Sequence, residues 1–334
     1  MGQFLQFAIN GLMAGAIYAL IAVGIVSVFK ATRVVNFAHG YLIMFGAYFY
    51  YTFAVIVPGM EWAPAWLQSW QPAWLVAWKA DLPMFSAMGT VADWLANVPR
   101  IVLGLVGAVV CNAIVGLIIE RTLMRSLMGQ SLFAMIMVTV GLISVMAGTA
   151  SIIWTADADF VPAIAPNAPI RLELFGSIIF IFGADVANMI IALLLFSGIV
   201  LWVRYARGGV AIRATAEDQS TAYSMGISVP KVFTTAWLLA SMTGAIAGAI
   251  LATRNGISPS LGLFGFAVLA VVLMGGLDSY GGVFIAAMAV GVLEAMTQWQ
   301  LGGDWAEIVP YVAVLIVILI RPHGLMGSKE VERI

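Results

Sequence analysis

The chain has 334 residues, of which 63% are hydrophobic and 9% charged, with a formal net charge of −1; an ordinary soluble domain carries about 45–50% apolar and about 25% charged residues. So few charges cannot cover a water-soluble body of this size, which excludes a soluble enzyme, a disordered tail and a nucleic-acid binder. The 11 Trp, 18 Phe and 34 Gly suit helices packed in lipid with aromatic anchors at their ends. The expected fold is an all-α polytopic membrane protein.

A spanning helix needs about 20 mostly apolar residues. In chain order the apolar segments are 5–29, 40–57, 101–119, 131–153, 186–203, 232–253, 263–277, 282–298 and 307–320, giving about nine (8–10) transmembrane segments. The short ones are candidates for half-helices. No Lys or Arg occurs in the first ten residues, and the first run is too long for a signal-peptide core, so it is expected to be a retained span. The connections are short apart from 58–100 and 204–231, so the chain 1–334 reads as a single transmembrane domain.

Basic residues assign the sides, because loops rich in Lys and Arg stay in the cytoplasm. With nine crossings and the N-terminus outside, Lys79, Arg100, Arg171 and Arg254 fall outside, and the other eleven of the 15 basic residues fall inside, C-terminus included. The outer insertion 58–100 carries Trp62, Trp66, Trp70, Trp74 and Trp78 at four-residue spacing, a single stripe on a helix. Pro64 suits a helix start and Pro72 breaks the run. The expected structure is an interfacial hairpin with indole rings at headgroup level; an aromatic platform for a ligand or docking partner is the alternative.

Signatures of catalysis are missing. The chain has no G-x-x-x-x-G-K-[ST], no H-E-x-x-H and no G-x-S-x-G, and its two histidines, His39 and His323, are far apart in sequence. Cys111, its single cysteine, lies in an apolar run and reads as a small buried residue. No catalytic residue, metal site or cofactor is therefore expected in this chain.

Three polar or glycine-rich islands interrupt the apolar pattern. The first is Asn36-Phe37-Ala38-His39-Gly40. It is either a cytoplasmic turn or a helix break inside the protein, with Gly40 permitting an unusual backbone and Asn36 and His39 supplying hydrogen bonds. Irregular backbone at membrane depth is allowed only against protein or a water-filled path. The second, Gly275-Gly276-Leu277-Asp278-Ser279-Tyr280-Gly281-Gly282, separates two short apolar runs, and paired interruptions of this kind point to a transport path. The expected pathway residues are thus Asn36, His39, Gly40, Gly275, Gly276, Ser279 and Gly281. Glu294 joins them, because an intramembrane carboxylate is a functional candidate, although pairing with a neighbouring helix would also satisfy it. Glu120 and Asp185, at segment ends, are expected to be solvated.

The third island is the inner connection 204–231. Residues 210–225 are expected to form a helix with small residues (Ala211, Ala214, Thr215, Ala222) and charges (Arg213, Glu217, Asp218). Gly226 is its expected stop, and Pro230 forbids smooth continuation. A short surface helix of small residues can be gripped closely by another protein.

Together these stretches resemble a known family. Gly11-Leu12-Met13-Ala14-Gly15-Ala16-Ile17-Tyr18-Ala19-Leu20, Asn36-Phe37-Ala38-His39-Gly40, Arg213-Ala214-Thr215-Ala216-Glu217-Asp218 through Gly226-Ile227, Gly275-Gly276-Leu277 with Gly281, and Arg321-Pro322-His323-Gly324-Leu325 are similar to permease subunits of branched-chain amino-acid ABC importers (the LivH/LivM family). The first island is closer to the LivH type. The resemblance implies a type II-like importer permease with discontinuous helices in the bacterial inner membrane. It also implies a LivM-like second permease, two cytoplasmic ATPases that bind ATP and Mg, and a periplasmic solute-binding protein. A coupling helix that docks into the ATPase falls on Arg213, Ala214, Glu217, Asp218, Ala222 and Gly226. The Trp-rich insertion is longer than the family shows here, and Tyr41 and Asp278-Ser279-Tyr280 also depart from its usual pattern. The solute is therefore open among branched-chain amino acids, urea, amides and aromatic or carboxylate compounds. The rival readings are a secondary transporter driven by an ion gradient, which explains the broken segments but not the inner loop, and a membrane enzyme with His39 as base, which lacks a nucleophile.

Overall fold

The computed structural model describes residues 2–61, 63, 64, 67, 87–127, 130–154, 160–174 and 177–327. The five tryptophans of the outer stripe lie outside the described residues. Helix α1 (Gly2–Thr32) leads into α2 (His39–Tyr51), which continues through a π-helical turn (Thr52–Ile56) to Gly59. Helix α3 (Ala87–Ile119) also ends in a π turn, Glu120–Met124, and α4 spans Leu132–Trp154. A hairpin of β1 (Pro169–Leu174) and β2 (Ser177–Phe182) precedes α5 (Gly183–Tyr205). Two short helices follow, α6 (Arg207–Glu217) and α7 (Gln219–Ser224), and then α8 (Val229–Asn255). Helices α9 (Phe264–Gly275), α10 (Tyr280–Leu301) and α11 (Val309–Ile320) complete the chain. Eight helical stretches among the described residues are long and apolar enough to cross a membrane, and Pro259–Gly275 is a shorter apolar one. They coincide with the nine segments read from the sequence. The small hairpin is an addition that the apolar pattern did not reveal.

Helix α1 is the axis of the bundle. Between Ala16 and Val28 all its residues are buried, as expected of a helix apolar all round, and it packs along α10 and against α8 and α5. Helices α4, α5 and α11 instead turn apolar side chains outward, with Ile152, Leu194 and Leu319 strongly exposed. Lipid is as apolar as these side chains, so burial alone does not hold the helices together; close backbone packing does. On α1, Gly11 and Gly15 form a G-x-x-x-G face. A Cβ built on Gly11 would lie 2.6 Å from the Gly291 carbonyl oxygen, and one on Gly15 would lie 2.7 Å from that of Ala287. Beside this seam Tyr18 donates a hydrogen bond of 2.7 Å to Glu294 Oε2. The carboxylate is therefore partnered across α1 and α10.

Side-chain links sort the connections into two ends. At one end, Gln6 clasps β2 with both atoms of its amide, donating to the Phe180 carbonyl at 2.6 Å and accepting the Phe180 N–H at 2.8 Å. Ile179 and Ile181 of the same strand pack on Met13. Also at this end, Arg254 pairs with Asp185 at 3.2 Å, so Asp185 is tied rather than simply solvated. At the opposite end, Glu120 is wholly buried, contrary to the expectation of a solvated carboxylate. The π turn brings Arg125 onto it at 2.9 Å, and Thr234 of α8 joins them at 3.2 Å. A buried carboxylate is tolerated because it is paired and hydrogen-bonded. These groupings agree with the alternation of loops inferred from the basic residues.

Gly11→Leu should split the seam between α1 and α10, lowering stability by about 1–3 kcal/mol, as overpacking does. A built Cβ on Gly148, on the outer face of α4, meets no atom within 4 Å, so Gly148→Leu should leave the melting temperature of the purified chain unchanged. Equal loss in the two variants, measured by thermal unfolding in detergent, would contradict the seam. Tyr18→Phe should destabilise by about 1–3 kcal/mol, the cost of leaving a buried partner unsatisfied, with Glu294→Gln partly rescuing it.

Candidate functional site: a chamber and the segment beside it

The first island is a break facing protein rather than solvent. Helix α1 ends where Arg33 takes a left-handed backbone (φ 58°). The chain then turns on Asn36, whose Oδ1 accepts the Ala38 N–H at 3.0 Å, and α2 begins at His39. Asn36 and His39 are buried. The His39 ring sits against Gly24 of α1: a Cβ built there would lie 3.0 Å from His39 Cε1 and 2.7 Å from Thr243 Oγ1 of α8. The Ile21 backbone lies alongside the ring, but neither ring nitrogen, nor Asn36 Nδ2, makes a hydrogen bond of good geometry. Gly40 has a different role from the one expected. It is helical, and it is required because a Cβ there would stand 2.1 Å from the Gly262 carbonyl oxygen and 2.7 Å from Gly265 Cα.

The second island is a tight turn at the same end of the bundle. Gly275 closes α9, Gly276 adopts φ +105°, and Ser279 caps α10 by accepting the Gly282 N–H at 3.1 Å. The C-terminal stretch locks this turn: Leu325 N–H donates to the Met274 carbonyl at 2.8 Å and Met326 N–H to that of Gly275 at 3.1 Å. Gly281 meets only the Met326 sulfur, at 3.9 Å from a built Cβ. The turn thus joins two helix ends and the tail. Leu277 and Asp278 of this island line a cavity of about 190 Å³ shared with Arg33 and His323. Glu294 lies fourteen residues up α10 from Tyr280, roughly 20 Å along the axis, and belongs to the opposite half.

A larger chamber, about 250 Å³, opens beside Asn36. Val28, Val34, Met124, Met135 and Phe233 give it apolar walls, Asn36, Thr139 and Trp237 are its buried polar residues, Thr32 is a half-buried one, and Gln130 and Gln219 are exposed at its mouth. Sequence reasoning found Asn36 but missed Thr139, Trp237 and Gln219. The available signals were a hydroxyl and an indole in the middle of apolar runs, away from the helix ends where such groups are ordinarily placed.

The inner connection is two helices rather than one. Asp218 interrupts the run with an extended backbone (φ −155°) and caps α7, accepting the Thr221 N–H at 2.8 Å and the Ser220 hydroxyl at 2.7 Å. These two donors, the Thr221 N–H first, hold its carboxyl below the ordinary aspartate range. Gly226 (φ +85°) ends the segment, and the Ile227 N–H returns to the Ala222 carbonyl at 3.0 Å, a Schellman closure. Pro230 falls in the first turn of α8, where it is tolerated.

Bonds tie this segment to the bundle. Arg213 donates to the Val203 and Arg204 carbonyls that end α5, and Arg33 donates to the Ala216 carbonyl. Gln219 reaches the Ala31 carbonyl at 3.5 Å. Ala222 is buried, Ala214 is half-buried, and Glu217 and Asp218 are exposed. The outermost apolar side chains, Tyr223 at 71% exposure and Met225 at 79%, were missed by a reading that sought small and charged residues.

Comparison with known proteins identifies the family. Residues 7–319 match the family described as branched-chain amino acid transport system / permease component. The chain is 26% identical over 342 residues to the high-affinity branched-chain amino acid transport system permease protein LivH of Escherichia coli K12, covering 99% of this chain and 98% of that one. BraD of Pseudomonas aeruginosa, described in the same words, is 25% identical over 335 residues at the same coverage. A probable LivH of Methanocaldococcus jannaschii is 26% identical over 244 residues, covering 67% of this chain and 75% of that one. No solved structure gives a significant match. With a bundle of spanning helices and a family match over nearly its whole length, the chain belongs to the branched-chain amino acid permease family and is a multi-pass membrane protein.

Proposed function

We propose that this chain is the LivH-type inner-membrane subunit of an ATP-driven importer that passes a small polar solute, a branched-chain amino acid in the first instance, from periplasm to cytoplasm by alternating access. The whole chain is one permease domain. It works with a LivM-like second permease, a periplasmic solute-binding protein and two cytoplasmic ATPases, which bind the ATP and Mg; hydrolysis is theirs and not this chain's.

The observation that carries this reading is the exposed α6–α7 segment. It projects Tyr223 and Met225 from the inner end while Arg33, Arg213 and Gln219 fasten it to the ends of α1 and α5. A knob of apolar side chains outside the spanning helices, and on the basic side of the bundle, suits a cytoplasmic protein partner. Movement of that knob passes through Arg33 and Gln219 to the end of α1, and from there to the break at Asn36 and His39. A shift there opens or closes the inner end of the path. Of the six residues first given to coupling (Arg213, Ala214, Glu217, Asp218, Ala222 and Gly226), four take a more specific role: Arg213 is a tether, Asp218 and Gly226 bound the second helix, and Ala222 seats it on the bundle.

Replacing Tyr223 and Met225 together by Ala should reduce uptake at least tenfold and lower co-purification of the ATPase, with an unchanged melting temperature. Normal uptake would sink the coupling role. Removing the ATPase while keeping the ion gradients should abolish uptake; persistence would favour an ion-driven carrier. An uptake screen with the cognate receptor, using leucine, urea, an amide and an aromatic acid, identifies the solute.

A pH prediction follows from the Asp218 cap. Its folded-state pKa lies below the unfolded value of about 3.9, so its contribution is fully present above that value and is lost as pH falls through the folded pKa. Amide exchange over 219–224, corrected for intrinsic rates, should therefore lose protection only on strong acidification. In Asp218→Asn this acid-dependent step should vanish.

A further inference from the structure

We propose that the chamber beside Asn36 is a holding site for one small solute with carbonyl or carboxylate oxygens and an apolar remainder. It would lie at the inner end of the path, within this subunit. The inference rests on the permease reading and adds to it a site and a chemistry of recognition.

Two residues that line the chamber each carry a hydrogen-bond donor without an acceptor: Asn36 Nδ2 and Trp237 Nε1. Asn36 is 3% exposed and Trp237 1%. An orphaned buried donor is costly, at about 1–3 kcal/mol, and such groups in folded proteins call for an unseen partner or a functional role. Here two of them stand around one cavity. They come from separate elements, the break after α1 and the third turn of α8, so no single local backbone feature accounts for both. Both donors are closed off from water in this conformation, so holding an occupant requires the wall to turn them toward it.

The remaining lining narrows the occupant. At about 250 Å³ the space exceeds what single waters require, at roughly 30 Å³ each. Among the described lining residues none is charged. The nearby carboxylate of Glu120 is already engaged by Arg125 and Thr234. Recognition therefore comes from neutral donors directed at oxygen, while Val28, Val34, Met135 and Phe233 receive an aliphatic or aromatic group. Gln219 stands at the mouth and is also the first residue of α7. The wall of the chamber and the coupling segment thus share a side chain, so filling or emptying the chamber and moving the segment are mechanically linked.

The test uses the full chain in lipid nanodiscs, with L-leucine, isovalerate and isovaleramide as probes, which share one branched alkyl group and differ in the head. At least one should bind saturably. Asn36→Ala and Trp237→Phe should each weaken that binding about tenfold, equivalent to about 1.4 kcal/mol; Trp237→Phe, which leaves the Asn36 turn and its Ala38 bond intact, should do so with the folded state retained. Met135→Trp, which fills the space, should abolish it. Absence of binding by all three probes overturns the proposal, as does binding indifferent to all three substitutions, or a high-resolution structure with saturating probe that shows only ordered water in the chamber. ATPase-dependent uptake by the assembled complex is read in parallel. Uptake that survives Asn36→Ala and Trp237→Phe with unchanged affinity rejects the chamber but keeps the permease. Saturable, substitution-sensitive binding without any ATPase-dependent uptake keeps the chamber and rejects the importer.

Discussion

Close approach of backbones around α1 is the constraint on which the rest depends. In lipid the apolar helices gain nothing by leaving their surroundings, so contact has to come from surfaces that fit at van der Waals distance. Gly11 and Gly15 meet Gly291 and Ala287 with no room for a Cβ, and Gly40 meets Gly262 and Gly265 in the same way. These contacts set the spacing of α1, α2, α9 and α10. The position of the Asn36–His39 break, and hence of the chamber, follows from that spacing. The Tyr18–Glu294 bond then satisfies the one carboxylate that α10 carries into the packed region.

The end that carries α6 and α7 is organised as a chain of short links. The exposed knob is held through Arg33 and Gln219 to the end of α1, and α1 passes directly into the break that walls the chamber. Opposite it, Glu120, Arg125 and Thr234 lock the π turn of α3 to α8. Ile212 of α6 also packs on Val232, Phe233 and Ala236 of α8, so the segment touches both walls of the chamber.

Much of the fold was legible because lipid imposes a simple code. Apolar runs of sufficient length located each spanning helix, and the basic residues sorted the loops into the two groups that the side-chain links reproduce. Interruption of that code by Asn36 and His39 marked the break, and Gly226 marked the end of the inner segment. What stayed hidden depends on three-dimensional neighbours. Glu120 looked like a surface charge because its partner is brought over it by a π turn. Asp218 was read as a charge within one helix because a cap and a helical residue look alike without the backbone angle. Gly40 was read for its freedom at the backbone, but the reason for it is Gly265, distant in sequence. Trp237 was hidden by its type: an indole in a membrane protein is expected at the interface, and only packing reveals one held at the chamber wall.

The seam between Gly11 and Gly291 also sets an order for biogenesis. At about 5–20 residues per second, roughly 14–56 s pass between synthesis of the two faces. Throughout that interval the narrow glycine groove of the newborn first helix has only lipid, or the insertion machinery, to lie against. The axis of the molecule is thus made first and enclosed near the end, so a ribosome stalled before the penultimate helix leaves a chain whose central groove is bare, a ready mark for quality-control proteases.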